Sequence, residues 1–131
     1  MARQLQEGRA VERVWLAGTL WPDSTEQQAA FNLRRNLWHL RQSLGREARR
    51  LEAQGVRELI LIAQDTTDYG YDLGLKDGLA HLLDAIVDAA PEIPWIRVMY
   101  AYPGYVTPRL IETMARHKQV LPYLDMPLQH G

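Results

Sequence analysis

GVRELILIAQDTTDYGYDLG, residues 55–74, holds the turning point of the chain. Its ELILIA run (58–63) is short, apolar and β-branched, and a polar run, QDTTDYG (64–70), follows at once. That is the pattern of a strand buried on both faces and then released to the surface. Working downstream, Leu79, Leu82, Leu83, Ile86, Val87 and Ala90 form a helical stripe that Pro91 ends. WIRVMY (95–100) reads as a second strand, finished by Pro103. Thr107 and Pro108 suit the cap and first turn of a helix carrying Leu110, Ile111, Met114 and Ala115. His117 and Lys118 fall in its last turn, where cations suit the helix dipole. YLDM (123–126) is a third strand, closed by Pro127. Strand–helix–strand–helix–strand specifies an α/β fold with a parallel sheet and right-handed crossovers.

Upstream, Leu33, Leu37, Leu40, Leu44, Ala48 and Leu51 recur every three or four residues, which aligns them on one helical face. Ser24 with Gln27 offers a capping box, and Gly55 a C-terminal stop. Gly45 weakens the middle of this helix by about 1 kcal/mol relative to Ala, so a break is expected there if anywhere. The charge divides along the chain. Residues 1–57 hold ten Arg against six Asp and Glu, whereas residues 58–131 hold five Lys and Arg against ten Asp and Glu. The Arg-rich face reads first as a solvated helix surface and second as an interaction surface.

The bulk numbers fit one soluble domain: 131 residues, 47% hydrophobic, 24% charged, net charge −1. Such a balance speaks against a strongly basic nucleic-acid binder and against an acidic disordered tail. No run of eighteen apolar residues is present, so no helical membrane span is expected. The polar, Glu-containing N-terminus resembles neither a secretory signal nor a transit peptide, and a cytoplasmic chain is the expectation. There is no cysteine. Disulfides, thiolate zinc sites, cysteine nucleophiles and cysteine-ligated clusters are therefore excluded in these residues.

In parallel α/β folds ligands sit at the C-terminal ends of strands. Three segments fall there: residues 64–70, 100–105 and 125–130, bringing carboxylates, amides, phenols and an imidazole to one rim. For any single residue, helix capping or rim filling is the preferred reading; for the three segments together, a site is. Asp65, Asp68 and Asp72 miss the calcium-loop spacing and are read as turn residues. Gly70, Gly74 and Gly78 are no phosphate-binding fingerprint. The four histidines show no zinc spacing; His39 and His81 read as part-exposed helix residues, and of the four only His130 reaches the rim. Asp65 and Asp125 form a weak candidate carboxylate pair for a hydrolase.

The same stretches carry a family resemblance. GVRELILIAQDTTDYGYDLG, WIRVMYAYPGYVTPRLIETMA (95–115) and VLPYLDMPLQH (120–130), in that order, resemble radical S-adenosylmethionine methylthiotransferases. The closest likeness is to the branch that methylthiolates an aspartate of a small-subunit ribosomal protein. It covers roughly residues 44–131. The resemblance implies a partial (β/α) barrel with a four-iron, four-sulfur cluster and S-adenosylmethionine at its rim, and a ribosomal protein as partner. It places Gln64, Asp65 and Gln129 toward the cofactor, and Tyr69, Tyr100, Tyr102 and His130 around the cavity or substrate. Amides and carboxylates suit the zwitterionic methionine of that cofactor.

The departure from the family is as clear as the match. Where its CxxxCxxC loop belongs, the sequence reads FNLRRNLWHLRQSLGRE (31–47). The expectation is thus residues 1–43 as a helical segment without family resemblance, and residues 44–131 as the central part of a barrel cut short. A first stretch read out of frame would join these facts, although its regular helical spacing weighs against that. Whether the chain is an enzyme stays open at this point, since the family is a transferase but the cluster ligands are missing. The alternative is a non-catalytic module that binds a nucleoside or a ribosomal-protein loop. No direct DNA binding is expected, and three strands with open edges invite self-association.

Overall fold

The apolar stripe upstream of residue 55 folds as one long helix. The computed structural model describes residues 13–71 and 74–127, in which α1 spans Arg13–Leu20 and α2 spans Glu26–Ala53. The N-cap of α2 is Thr25, whose hydroxyl accepts from the Gln28 amide at 3.3 Å. The N-cap expected at Ser24 is therefore displaced by one residue, with the Ser24 amide donating to Trp21 O in the turn that leaves α1, and the Gln28 side chain donates to Asn32 Oδ1. At the other end Gly55 adopts φ +79°. Its amide donates to Glu52 O and that of Val56 to Leu51 O, the paired bonds of a Schellman stop.

Three parallel strands follow: β1 (Glu58–Leu61), β2 (Trp95–Val98) and β3 (Val120–Leu124), ordered β1-β2-β3. Helix α3 (Gly78–Ala89) joins the first pair and α4 (Pro108–Arg116) the second. The α/β expectation is met, as an open three-stranded sheet and not a closed barrel. Gly45 does not break α2. A Cβ there would lie 3.3 Å from Ala89 Cβ, so glycine lets α2 run close along the last turn of α3.

Among the described residues only one face of the sheet is covered. Leu59, Ile96, Val98 and Val120 pack against Leu82, Leu83 and Ile86 of α3, Leu110 and Met114 of α4, and Ala48 of α2. Ile60 and Ile62 point the other way and stay 55% and 63% exposed. The two-sided burial read for ELILIA is thus corrected: α2, α3 and α4 contribute to the core on one side of the sheet. The third strand also moves, from 123–126 to Val120–Leu124. Its register against β2 is irregular between Ile96 and Val98. Pro122 lies in that strand and has no amide to donate, which an edge strand tolerates.

Thr107 caps α4 as expected, accepting from the Leu110 amide at 3.2 Å, with Pro108 in the first turn. The helix stops at Arg116, so His117 is its C-cap and not part of its last turn. From there His117 Nε2 meets Asp84 Oδ1 of α3 at 2.7 Å, beside Arg116 at 2.6 Å and Arg109 at 3.3 Å. Burial pushes the Asp84 carboxyl up, but hydrogen bonds from His117 and Arg116 and their charges outweigh it and hold it below the usual carboxylate range. This cluster pins α3 to α4 and so fixes the spacing of the loops that precede them. A second, smaller cluster of Ala17, Ala29, Leu33 and Leu75 lies under α1 and the first part of α2, with Trp21 and Tyr69 against it. Among the described residues no helix is long and apolar enough to cross a membrane.

Candidate functional site at the strand ends

Two threonines that sequence reading passed over build the rim. Thr66 is buried where β1 gives way to its loop. Its hydroxyl accepts from the Ala63 amide at 3.1 Å and donates to Met99 O at 2.5 Å, while its own amide donates to Tyr100 O at 2.9 Å. The loops after β1 and β2 are thereby stitched together. The stitch holds Tyr100 at φ +55°, a conformation costing a non-glycine residue about 1–2 kcal/mol. Thr67 adds a second link: its hydroxyl accepts from the Tyr102 amide at 3.0 Å and donates to Asp65 Oδ1 at 2.5 Å. Asp65 Oδ1 also accepts from the amides of Thr67 and Asp68, so this oxygen shapes the turn. The Ala101 amide donates to Asp125 O at 2.7 Å and brings in the segment after β3.

The three segments expected at one rim are therefore joined by backbone and hydroxyl hydrogen bonds. Gln64 is exposed at the end of β1, and its amide makes no hydrogen bond to the described residues. Tyr100 and Tyr102 stand out from the second loop, 42% and 58% exposed. Gln129 and His130 lie outside the described residues. The turn reading of Asp65 holds, and the hydrolase idea is weakened, because one Asp65 oxygen is committed to backbone amides.

Tyr69 turns inward, away from these. It lines a cavity of about 330 Å³ between the β1–α3 and β2–α4 loops, together with Tyr71, Lys76, Asp77, Tyr105 and Thr107. Tyr100 and Tyr102 are not among its lining residues, so the three tyrosines expected around one cavity are split between cavity and outer rim. Tyr105 links the two places, its ring 5.3 Å from Tyr71 and 5.8 Å from Tyr102. Burial pushes the Tyr69 phenol up, opposed by the charge of Arg41; burial, then Asp68 and the neighbouring groups, push Tyr105 up. Both phenols stay protonated at neutral pH and present themselves as donors. Asp77, at φ +56°, accepts from Thr107 Oγ1 at 2.7 Å and joins the starts of α3 and α4. Gly78 permits the close approach: a Cβ there would sit 2.0 Å from Tyr69 O. The signal for the missed threonines was the Asp-Thr-Thr order itself, since Asp and hydroxyl side chains at a strand exit make local turn bonds.

No protein-family model matches the chain. Individual proteins do. The chain is 63% identical over 85 residues to ribosomal protein uS12 methylthiotransferase RimO of Roseiflexus castenholzii, and 60% over 85 residues to that of Roseiflexus sp.. It is 54% identical over 91 residues to the protein of the same name from Solibacter usitatus. The likeness is to the uS12 methylthiotransferases. The shared stretches make up 65–69% of this chain but only 18–20% of those relatives, so the chain spans about a fifth of their length. The family resemblance is shown over about two thirds of the chain, and an open three-stranded α/β piece is consistent with a segment of a uS12 methylthiotransferase.

Proposed function

We propose that residues 44–131 form the part of a radical S-adenosylmethionine methylthiotransferase barrel whose strand ends face cofactor and substrate, ribosomal protein uS12. The observation that carries this is 63% identity to a uS12 methylthiotransferase, in a chain whose three strand-end loops are tied into one rim. A ribosomal partner agrees with a cytoplasmic location. The binding-module alternative is not favoured, because the relatives are named as enzymes.

The donor set decides which cofactors this chain can hold by itself. S-adenosylmethionine fits the rim: the Gln64 amide is exposed and uncommitted, and the nearby Tyr100 and Tyr102 are exposed. These groups match the ammonium and carboxylate of its methionine part. When bound, that cofactor supplies a sulfonium whose reductive cleavage yields a carbon radical. Asp65 serves chiefly to position Thr67 and Asp68, because its Oδ1 is bound into the turn. A four-iron cluster does not fit. The chain has no cysteine, and among the described residues no three His, Asp or Glu gather where a metal ion would need them. No catalytic step is assigned to these 131 residues alone.

The test is a graft. Residues 44–131 replace the homologous stretch of the Roseiflexus castenholzii enzyme, and uS12 methylthiolation is followed by mass spectrometry. Activity is expected to survive the graft and to fall when Gln64→Ala is added. A folded, cluster-loaded graft without activity would overturn the assignment.

A further inference from the structure

We propose that the exposed first half of α2 binds single-stranded RNA. The surface is separate from the strand-end rim and independent of its assignment. Phe31, Arg35, Trp38 and Gln42 are spaced four, three and four residues apart and share one helical face, with Arg34 alongside. Phe31 and Trp38 are 52% and 57% exposed, although large aromatics are ordinarily the first groups a fold buries. Arg35 lies 6.0 Å over the Phe31 ring, and His39 packs edge-on against Trp38 at 5.0 Å.

The charge is as unusual as the exposure. From Gln27 to Arg46 the sequence carries four arginines and no acidic residue, inside a chain whose net charge is −1. The pairing acid of the helix, Glu47, is used lower down by Arg50. Among the described residues Arg34 and Arg35 have no carboxylate within ion-pair distance. Net charge hid this face, because the acidic second part of the chain cancels it.

The mixture of groups identifies the ligand class. A membrane-surface helix segregates its apolar stripe from its basic flank. Here rings and guanidiniums share one face, each arginine lying three or four residues from both rings. That is a stacking platform with phosphate donors at its sides, as proteins that bind single strands use. Seven residues of helix set the two rings about 10 Å apart along the axis, room for one base on each.

The test uses the full chain and a fluorescein-labelled 12-nucleotide oligouridylate, with anisotropy read at 50 mM salt. Saturable binding is expected. Trp38→Ala should weaken it about 5- to 100-fold, and Trp38→Phe, which keeps a ring, should retain most of it. With two phosphates neutralised, log affinity should fall with log salt at a slope of about −1.4, and Arg34→Ala with Arg35→Ala should flatten that slope toward zero. Circular dichroism of each variant reports whether α2 is intact. Absence of saturable binding overturns the proposal, as does binding that ignores both the ring and the arginine variants. Trp38-dependent binding to phosphatidylserine vesicles with none to the oligonucleotide overturns it in favour of a membrane.

Discussion

Thr66→Val separates the hydrogen bonds that build the rim from the packing around them. Valine matches threonine in shape, so the site, only 5% exposed, stays filled. What goes is the hydroxyl that accepts from Ala63 N and donates to Met99 O. Each such bond contributes about 1 kcal/mol net, and the partly buried Met99 carbonyl left behind adds a desolvation penalty, so a loss of about 2–3 kcal/mol is expected. For a domain of this length the entropy of unfolding near the midpoint is roughly 0.28 kcal/mol/K, which converts the loss into a fall in Tm of about 7–11 °C. The assay is thermal unfolding by circular dichroism, with Thr66→Ser as control. Serine keeps both bonds and loses one buried methyl, worth about 1 kcal/mol. If serine is as damaging as valine, or valine shifts Tm by less than 2 °C, the stitch is not what holds the two loops.

Further expectations concern contacts of other kinds. Gly78→Ala would drive a methyl to within 2.0 Å of Tyr69 O, and a loss of about 2–3 kcal/mol is expected from the urea midpoint; an unchanged midpoint would contradict the close approach. Asp84→Asn removes the carboxylate shared by Arg109, Arg116 and His117, with an expected cost of about 1–2 kcal/mol at pH 7. The Asp84 carboxyl titrates lower in the folded chain than the ~3.9 of an unfolded one. Its contribution is therefore complete above about pH 4 and is lost as pH falls through the folded value. The gap between wild type and Asp84→Asn should close on acidification below pH 4; a gap constant down to pH 2 would exclude this account. The bare sheet face should drive self-association, so Ile60→Lys with Ile62→Lys should lower light scattering at little cost in stability. Scattering unchanged by the pair would mean that association runs elsewhere.

Much of the fold was legible because it rests on local chemistry. Thr107-Pro108 announced α4, Gly55 closed α2, and three apolar runs separated by helical stripes meant a parallel sheet. The misses share one cause: periodicity reports what is apolar, not what covers it. ELILIA reads alike whether one face or both are packed, so the exposure of Ile60 and Ile62 was invisible. Strand β3 begins at Val120, ahead of the YLDM run, and includes Pro122, whose missing amide an edge position tolerates. At the rim, the ends of three strands were predictable from topology. The split of Tyr69 from Tyr100 and Tyr102 was not, since residue spacing in a loop carries no signal of which way each ring turns.

Helix α2 crosses residue 44, the expected start of the family resemblance, without interruption. Its two halves nevertheless serve different cores. Ala48 belongs to the large cluster under the sheet, whereas Ala29 and Leu33 close a small one with Ala17 and Leu75. Tyr69 touches both. If residue 44 divides two units, they should differ in stability, because four buried residues secure far less than the sheet's core. Leu33→Ala tests this. Leu33 is 3% exposed, and its truncation should cost about 2–3 kcal/mol, the low end of the usual range for so small a cluster. Hydrogen exchange is then expected to accelerate at amides of residues 29–40 while those of Ile96 and Val98 in β2 keep their protection. Equal acceleration in β2 would show that Tyr69 welds the clusters into one cooperative body, and that the expected boundary at residue 44 divides nothing in the fold.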